Sequence, residues 1–243
     1  MGLMDLLSSE GRSKRSLQKH VARAKNKDSQ SVDRFASLEA LRDDGSLEAV
    51  AGLLGRFTIR YDKSIEDEQE KEWVHSELCK FGAKILPEVE RHLRSAASIS
   101  WGLKVLHDVA KSDEAWPILE RLCEQNDNTY VRDPSKKIQL VHHLGDLEDQ
   151  RAARALVPYL DDVDEGVRFT VVEGLIRHKH KESSREPLLR LLASEKEESR
   201  RIKKAIVEGF ADLGWEADLT VEKWVTDLMP GAKLDNHQRI KRK

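Results

Sequence analysis

Cysteine is nearly absent from this chain of 243 residues, with only Cys79 and Cys123 present. Two lone thiols build no disulfide framework, so a reducing cytoplasm is the expected location. Proline is scarce, 6 in all, and no run of alternating β-branched residues occurs, which disfavours sheet. Aromatics make up 5% of the residues against 35% charged. A globule with one thick core carries more aromatic and apolar side chains, whereas a thin array of amphipathic helices exposes more surface per residue and needs the charge. No stretch reaches 18 apolar residues, so no membrane span is expected. The start, MGLMDLLSSEGRSKRS, has no apolar segment long enough for a signal peptide, and Leu6 stands where a myristoylation signal needs Ser or Thr. A glycine-rich phosphate loop, a nucleophile elbow and a paired-carboxylate signature are all missing. No catalytic residue and no cofactor is therefore assigned, and the chain reads as non-enzymatic.

What the sequence does contain is a period. In DDVDEGVRFTVVEGLIRHKHKESSREPLLRLL, residues 161–192, acidic turn residues Asp161, Asp162 and Asp164 lead into Val167, Val171, Val172 and Leu175, which fall on one helical face. A second helix is expected to open at Ser183, Ser184 and Glu186-Pro187, where a first-turn proline costs no hydrogen bond. Leu188, Leu189, Leu191 and Leu192 supply its apolar face. Val172-Glu173-Gly174-Leu175 returns 35 residues later as Val207-Glu208-Gly209-Phe210, and Leu140, Val141 and Leu144 stand in the same frame 31 residues earlier. Residues 35–54 repeat the layout, looser copies lie at 72–93 and 99–122, and 219–228 forms the second helix of a last pair. Gly45, Gly82, Gly145 and Gly214 fall near the ends of first helices, where a left-handed residue closes a helix. One such pair cannot hide its apolar stripe alone; stacked pairs can.

Residues and spacing together resemble HEAT repeats, specifically the short bacterial type known from phycobilisome lyases. Asp161–Leu175 carries the resemblance best, with its acidic turn, Val167-Arg168 and apolar helix. The resemblance implies an all-α, right-handed α-α superhelix of about six helix pairs plus an N-terminal basic helix. Residues 1–30 then form a basic amphipathic arm, 31–228 the HEAT-like repeat domain and 229–243 a basic C-terminal tail. Such repeats serve many unrelated roles, so the resemblance specifies fold rather than function. It implies a bacterial, cytoplasmic scaffold that binds an unidentified protein partner. By analogy alone it also admits an accessory lyase or cofactor chaperone.

The charge is segregated. The net charge is only −2, yet residues 11–27 carry +7, residues 236–243 carry +4 and the body between them is near −11. Arg12, Lys14, Arg15, Lys19, Arg23, Lys25 and Lys27 could bind an anion, in nucleic acid or an anionic membrane surface. The simpler reading is a polar helix, striped by Leu17, Val21 and Ala24, that docks on the first pair. Leu3, Met4, Leu6 and Leu7 ahead of it could form a docking stripe. The tail reads as a frayed, solvated terminus.

Protein-binding anchors are expected in two connections. One is Arg56–Ile65, through Phe57, Arg60 and Tyr61, and the other is 130–134, through Tyr130 and Arg132. Aromatic and Arg groups on loops are common interface anchors, although packing over a seam would account for the first connection equally. The acidic run 66–72 complements a helix N-terminus. Lys137, Arg168 and Lys203 recur at equivalent positions and are expected to pair with turn aspartates. His75 and Cys79 share a helix face, but one pair falls short of the three or four ligands a transition metal needs, so no metal site is expected. No His precedes a Glu, as iron-holding helical-repeat hydroxylases require. An acidic body also argues against a DNA-glycosylase-like groove, despite five tryptophans.

Overall fold

A computed structural model describes residues 9–61 and 63–242. The chain is all-helical, apart from one short hairpin near its end. It divides between Leu122 and Cys123 into two compact units. No described helix is long and apolar enough to cross a membrane.

In the first unit, α1 (Ser9–Ala24) precedes α2 (Ser31–Asp44), α3 (Leu47–Gly55), α4 (Ser64–Phe81), α5 (Leu86–Ser95) and α6 (Ser100–Val109). Helices α2, α4 and α6 pack successively in one layer, α3 and α5 lie together in a second, and α1 rests on α2 and α3. Helix α7 (Ser112–Gln125) runs across the division between the units. The second unit holds α8 (Ser135–Asp146), α9 (Gln150–Leu156), α10 (Glu165–His178), α11 (Lys181–Ala193), α12 (Arg200–Leu213) and α13 (Glu222–Leu228). Here α8, α10 and α12 form one layer, while α11 packs on α9 and its 3-10 extension. Each unit's core is the aliphatic seam between its two layers.

Local chemistry sets the boundaries. Asp164 caps α10 by accepting the Val167 amide at 3.0 Å, and Ser199 caps α12 by accepting that of Ile202 at 3.3 Å. Val167, Val171, Val172 and Leu175 are all fully buried, as their spacing requires. Gly45, Gly82 and Gly214 have positive φ and end α2, α4 and α12. Gly145 does not share that role. It lies inside α8, where a methyl group would come within 2.9 Å of Gly174 Cα in α10. The two backbones touch, and the absence of side chains lets α8 and α10 approach this closely. Helix α11 also differs from expectation. It begins at Lys181, so Pro187 lies in its interior. The His180 carbonyl accepts the Ser183 and Ser184 amides and opens the helix earlier than the proline would.

Long cations near the starts of first-layer helices link successive pairs. Lys137 in α8 donates to Asp162 at 2.6 Å, in the turn before α10. Arg168 in α10 reaches Glu197 at 2.7 Å, in the turn before α12. Only the first of these acids is the expected aspartate. Lys203 in α12 meets the Ser194 carbonyl at 3.2 Å and lies 3.8 Å from the centre of the Trp224 ring.

The C-terminal segment corrects the picture of a frayed tail. β1 (Lys233–Leu234) pairs antiparallel with β2 (Ile240–Lys241), and Ile240 is buried. Asp235 turns the hairpin by accepting the His237 and Arg239 amides at 2.8 and 2.9 Å. The Ala217 amide donates to the Gln238 carbonyl at 2.7 Å, which fastens the hairpin to the chain leaving α12.

Candidate functional site

The basic arm is a docked helix. Ala24 is buried, and Val21 sits so close to Gly52 of α3 that a methyl there would come within 2.8 Å of it. With the apolar stripe inward, the cations face out. Arg12, Lys14, Arg15, Lys19, Lys25 and Lys27 are exposed and Arg23 is half-buried. None of the seven makes an ion pair among the described residues. Leu3, Met4, Leu6 and Leu7 lie outside the described residues.

The connection after α3 corrects part of the anchor assignment. Phe57 is only 4% exposed and stacks on Trp101 of α6, with ring centres 5.5 Å apart. It belongs to the core and cannot serve as a contact anchor. Tyr61 is half-buried over two guanidiniums, with its ring centre 4.3 Å from Arg34 and 5.3 Å from Arg56. Arg60 is exposed. In the second unit, Tyr130 is 75% exposed and Arg132 is exposed as well. Their loop is held from below by Lys137, which donates to the Thr129 carbonyl at 2.7 Å.

Beneath Tyr61 lies a buried charge cluster that spacing alone did not reveal. Arg34 donates to both Glu70 oxygens, at 3.2 and 2.9 Å, and Arg56 donates to the same carboxylate. Arg56 also reaches Asp67 at 2.6 Å, and Lys71 reaches Asp67 at 2.7 Å. Arg34 and Arg56 are fully buried and the acids nearly so. Burial works against the Asp67 carboxylate, but hydrogen bonds from Lys71 and Arg56 outweigh it and hold its pKa below the usual range. The acidic run therefore does more than complement a dipole, since two of its members neutralise buried arginines. Asp67, Glu70 and Lys71 share the inward spacing of Val74 and Leu78, and that was the available signal.

This cluster supports one wall of a surface groove of about 580 Å³. Val32, Phe35 and Ala36 of α2, Tyr61 of the connection before α4 and Trp73 of α4 give it an apolar lining, and Glu39, Glu66 and Glu70 border it. Phe35 and Trp73 meet with ring centres 4.8 Å apart. At its mouth Val32 is 78% exposed, and nearby in α4 Ile65 is 73% exposed. No family model, curated protein or solved structure matches this chain. The role of the groove has to be argued from its own residues.

Histidine and cysteine give a third arrangement. His75 and Cys79, one turn apart on α4, place Nε2 and Sγ 3.6 Å apart. Asp108 of α6 brings Oδ2 to 2.8 Å from the same Nε2. The expectation of a lone pair is corrected, because three ligand-type side chains converge. Asp108 belongs to another helix, and only the packing of α4 on α6 delivers it. Burial and the Asp108 carboxylate push the Cys79 thiol up, partly offset by Lys104.

Proposed function

We propose that the chain is a non-enzymatic protein-binding scaffold built of HEAT-like repeats, and that the groove between α2 and α4 is its principal contact surface. The observation that carries this reading is the composition of the groove. Val32 stands exposed beside half-buried Phe35, Tyr61 and Trp73 in a concave strip bordered by Glu39 and Glu66. Exposed apolar strips rimmed by charge are characteristic of protein-contact sites. Two helices flanking such a strip suit an amphipathic segment that offers aliphatic anchors with basic flanks. Tyr130 and Arg132 provide a second contact in the other unit. The test is affinity capture from the source cells with the wild-type chain and a Val32→Asp variant. Val32 is so exposed that the variant folds normally, so its circular dichroism and melting should match wild type. A partner held by wild type is expected to be lost from the variant. Identical capture by both proteins overturns the reading.

The exposed cations of α1 favour a second reading, binding to a polyanion such as nucleic acid or an anionic membrane surface. It predicts association with duplex DNA or anionic vesicles that weakens steeply with salt and is lost from the Arg15→Glu, Lys19→Glu double variant. Charge reversal is the better probe, because truncation would also uncover the faces of α2 and α3. Absent or salt-independent binding removes this reading.

A further inference from the structure

We infer that His75, Cys79 and Asp108 form a site for a single zinc-type divalent cation, with one coordination position left to solvent. The contact surface proposed above plays no part in this inference.

The geometry distinguishes a metal site from a catalytic relay. In a Cys–His–Asp relay the acid binds one ring nitrogen and the thiol the other. Here Sγ and the Asp108 oxygen both approach Nε2, and the three ligand atoms lie within 4.8 Å of one another. One nitrogen cannot serve both neighbours. If Nε2 carries a proton it bonds Asp108, and if it is bare it can accept from the thiol. In either state one neighbour faces it without a hydrogen bond. A cation at the centre satisfies all three at once.

The sulfur–nitrogen distance already fits, and the carboxylate needs a small shift. Zinc–sulfur and zinc–nitrogen bonds of about 2.3 and 2.0 Å at a tetrahedral angle place S and N about 3.5 Å apart, and the observed separation is 3.6 Å. The carboxylate must withdraw from its hydrogen bond by about 0.5 Å to reach the matching nitrogen–oxygen spacing of about 3.3 Å. Asp108 stands in the last turn of α6 with 38% of its side chain exposed, so it has room to do so. That opening also gives solvent and metal a way in. Thiolate, imidazole and carboxylate form a mixed ligand set that suits zinc and disfavours magnesium or calcium, which take oxygen ligands. Binding expels the thiol proton to solvent, and thiolate plus carboxylate then neutralise the dication.

Cobalt(II) is the probe, added to the full-length chain after stripping with a chelator. One equivalent is expected to bind, with intense visible bands of a four-coordinate ion and a near-ultraviolet sulfur-to-cobalt charge-transfer band. Cys79→Ser should abolish the charge-transfer band, and Asp108→Asn should weaken binding by at least about tenfold. Cys123→Ser should change neither. No charge-transfer band in wild type, or a wild-type band in Cys79→Ser, overturns the site. A second measurement needs no substitution at the ligands. In the Cys123→Ser background, zinc should slow maleimide labelling of Cys79 by at least about tenfold while magnesium should not. Equal labelling rates with and without zinc would show that His75 and Asp108 are only an ion pair between helices, with Cys79 beside it by position.

Discussion

Replacing Leu175 by alanine is expected to lower the free energy of unfolding by about 2–5 kcal/mol. Leu175 is fully buried in α10, which packs on α8 and α12 in one layer and against α9 in the other. The substitution removes apolar area and leaves a cavity whose walls are aliphatic and helical. One of those walls cannot move inward, since Gly145 and Gly174 already bring the backbones of α8 and α10 into contact. The cavity therefore stays open and the cost falls toward the upper part of the range. Urea denaturation followed by circular dichroism measures it, and a midpoint equal to wild type would show that Leu175 does not occupy the seam.

A comparable loss is expected at a charged position. Glu70→Gln keeps the shape of the side chain but removes the one carboxylate shared by Arg34 and Arg56. Both guanidiniums are fully buried, and only Asp67 would remain to balance them and Lys71. Leaving buried charge uncompensated costs about 3–5 kcal/mol, far more than the pair adds over an apolar replacement. Glu72→Gln, exposed one half-turn away, is the control, with an expected change within about 0.5 kcal/mol. Equal stability of the two variants would contradict the cluster. The cluster also responds to acid. Because the Asp67 pKa is lowered by folding, its contribution is fully present at neutral pH and fades as pH falls through and below the ordinary carboxylate range.

The helical fold was legible because aliphatic periodicity reports burial directly. Val167, Val171, Val172 and Leu175 could be placed inward from spacing alone, and each is buried. Charged residues at inward positions are harder to read, since a buried Arg34 and a solvated one look alike until their partners are known. Arg56 lies beyond the end of α3, in a single 3-10 turn too short to show a period, and its partners come from the next helix. Phe57 failed as an anchor for the related reason that an aromatic residue in a connection can fold back into the core. The terminal hairpin escaped because two-residue strands show no alternation; only the Asp235-Asn236 turn marked it. Asp108 shows the plainest limit. Its distance from His75 is fixed by the packing of two helices that the chain visits at different times.

The two cationic links made by Lys137 and Arg168 share a direction. Lys137 and Arg168 each belong to an earlier pair, while the acids they need, Asp162 and Glu197, stand in the turn that introduces the following one. A deletion in the turn at 161–164 would therefore strand a lysine in the hairpin before it, not the one it opens. At these two joints a hairpin leans on its successor, so a lesion in either turn should be felt upstream of where it is made.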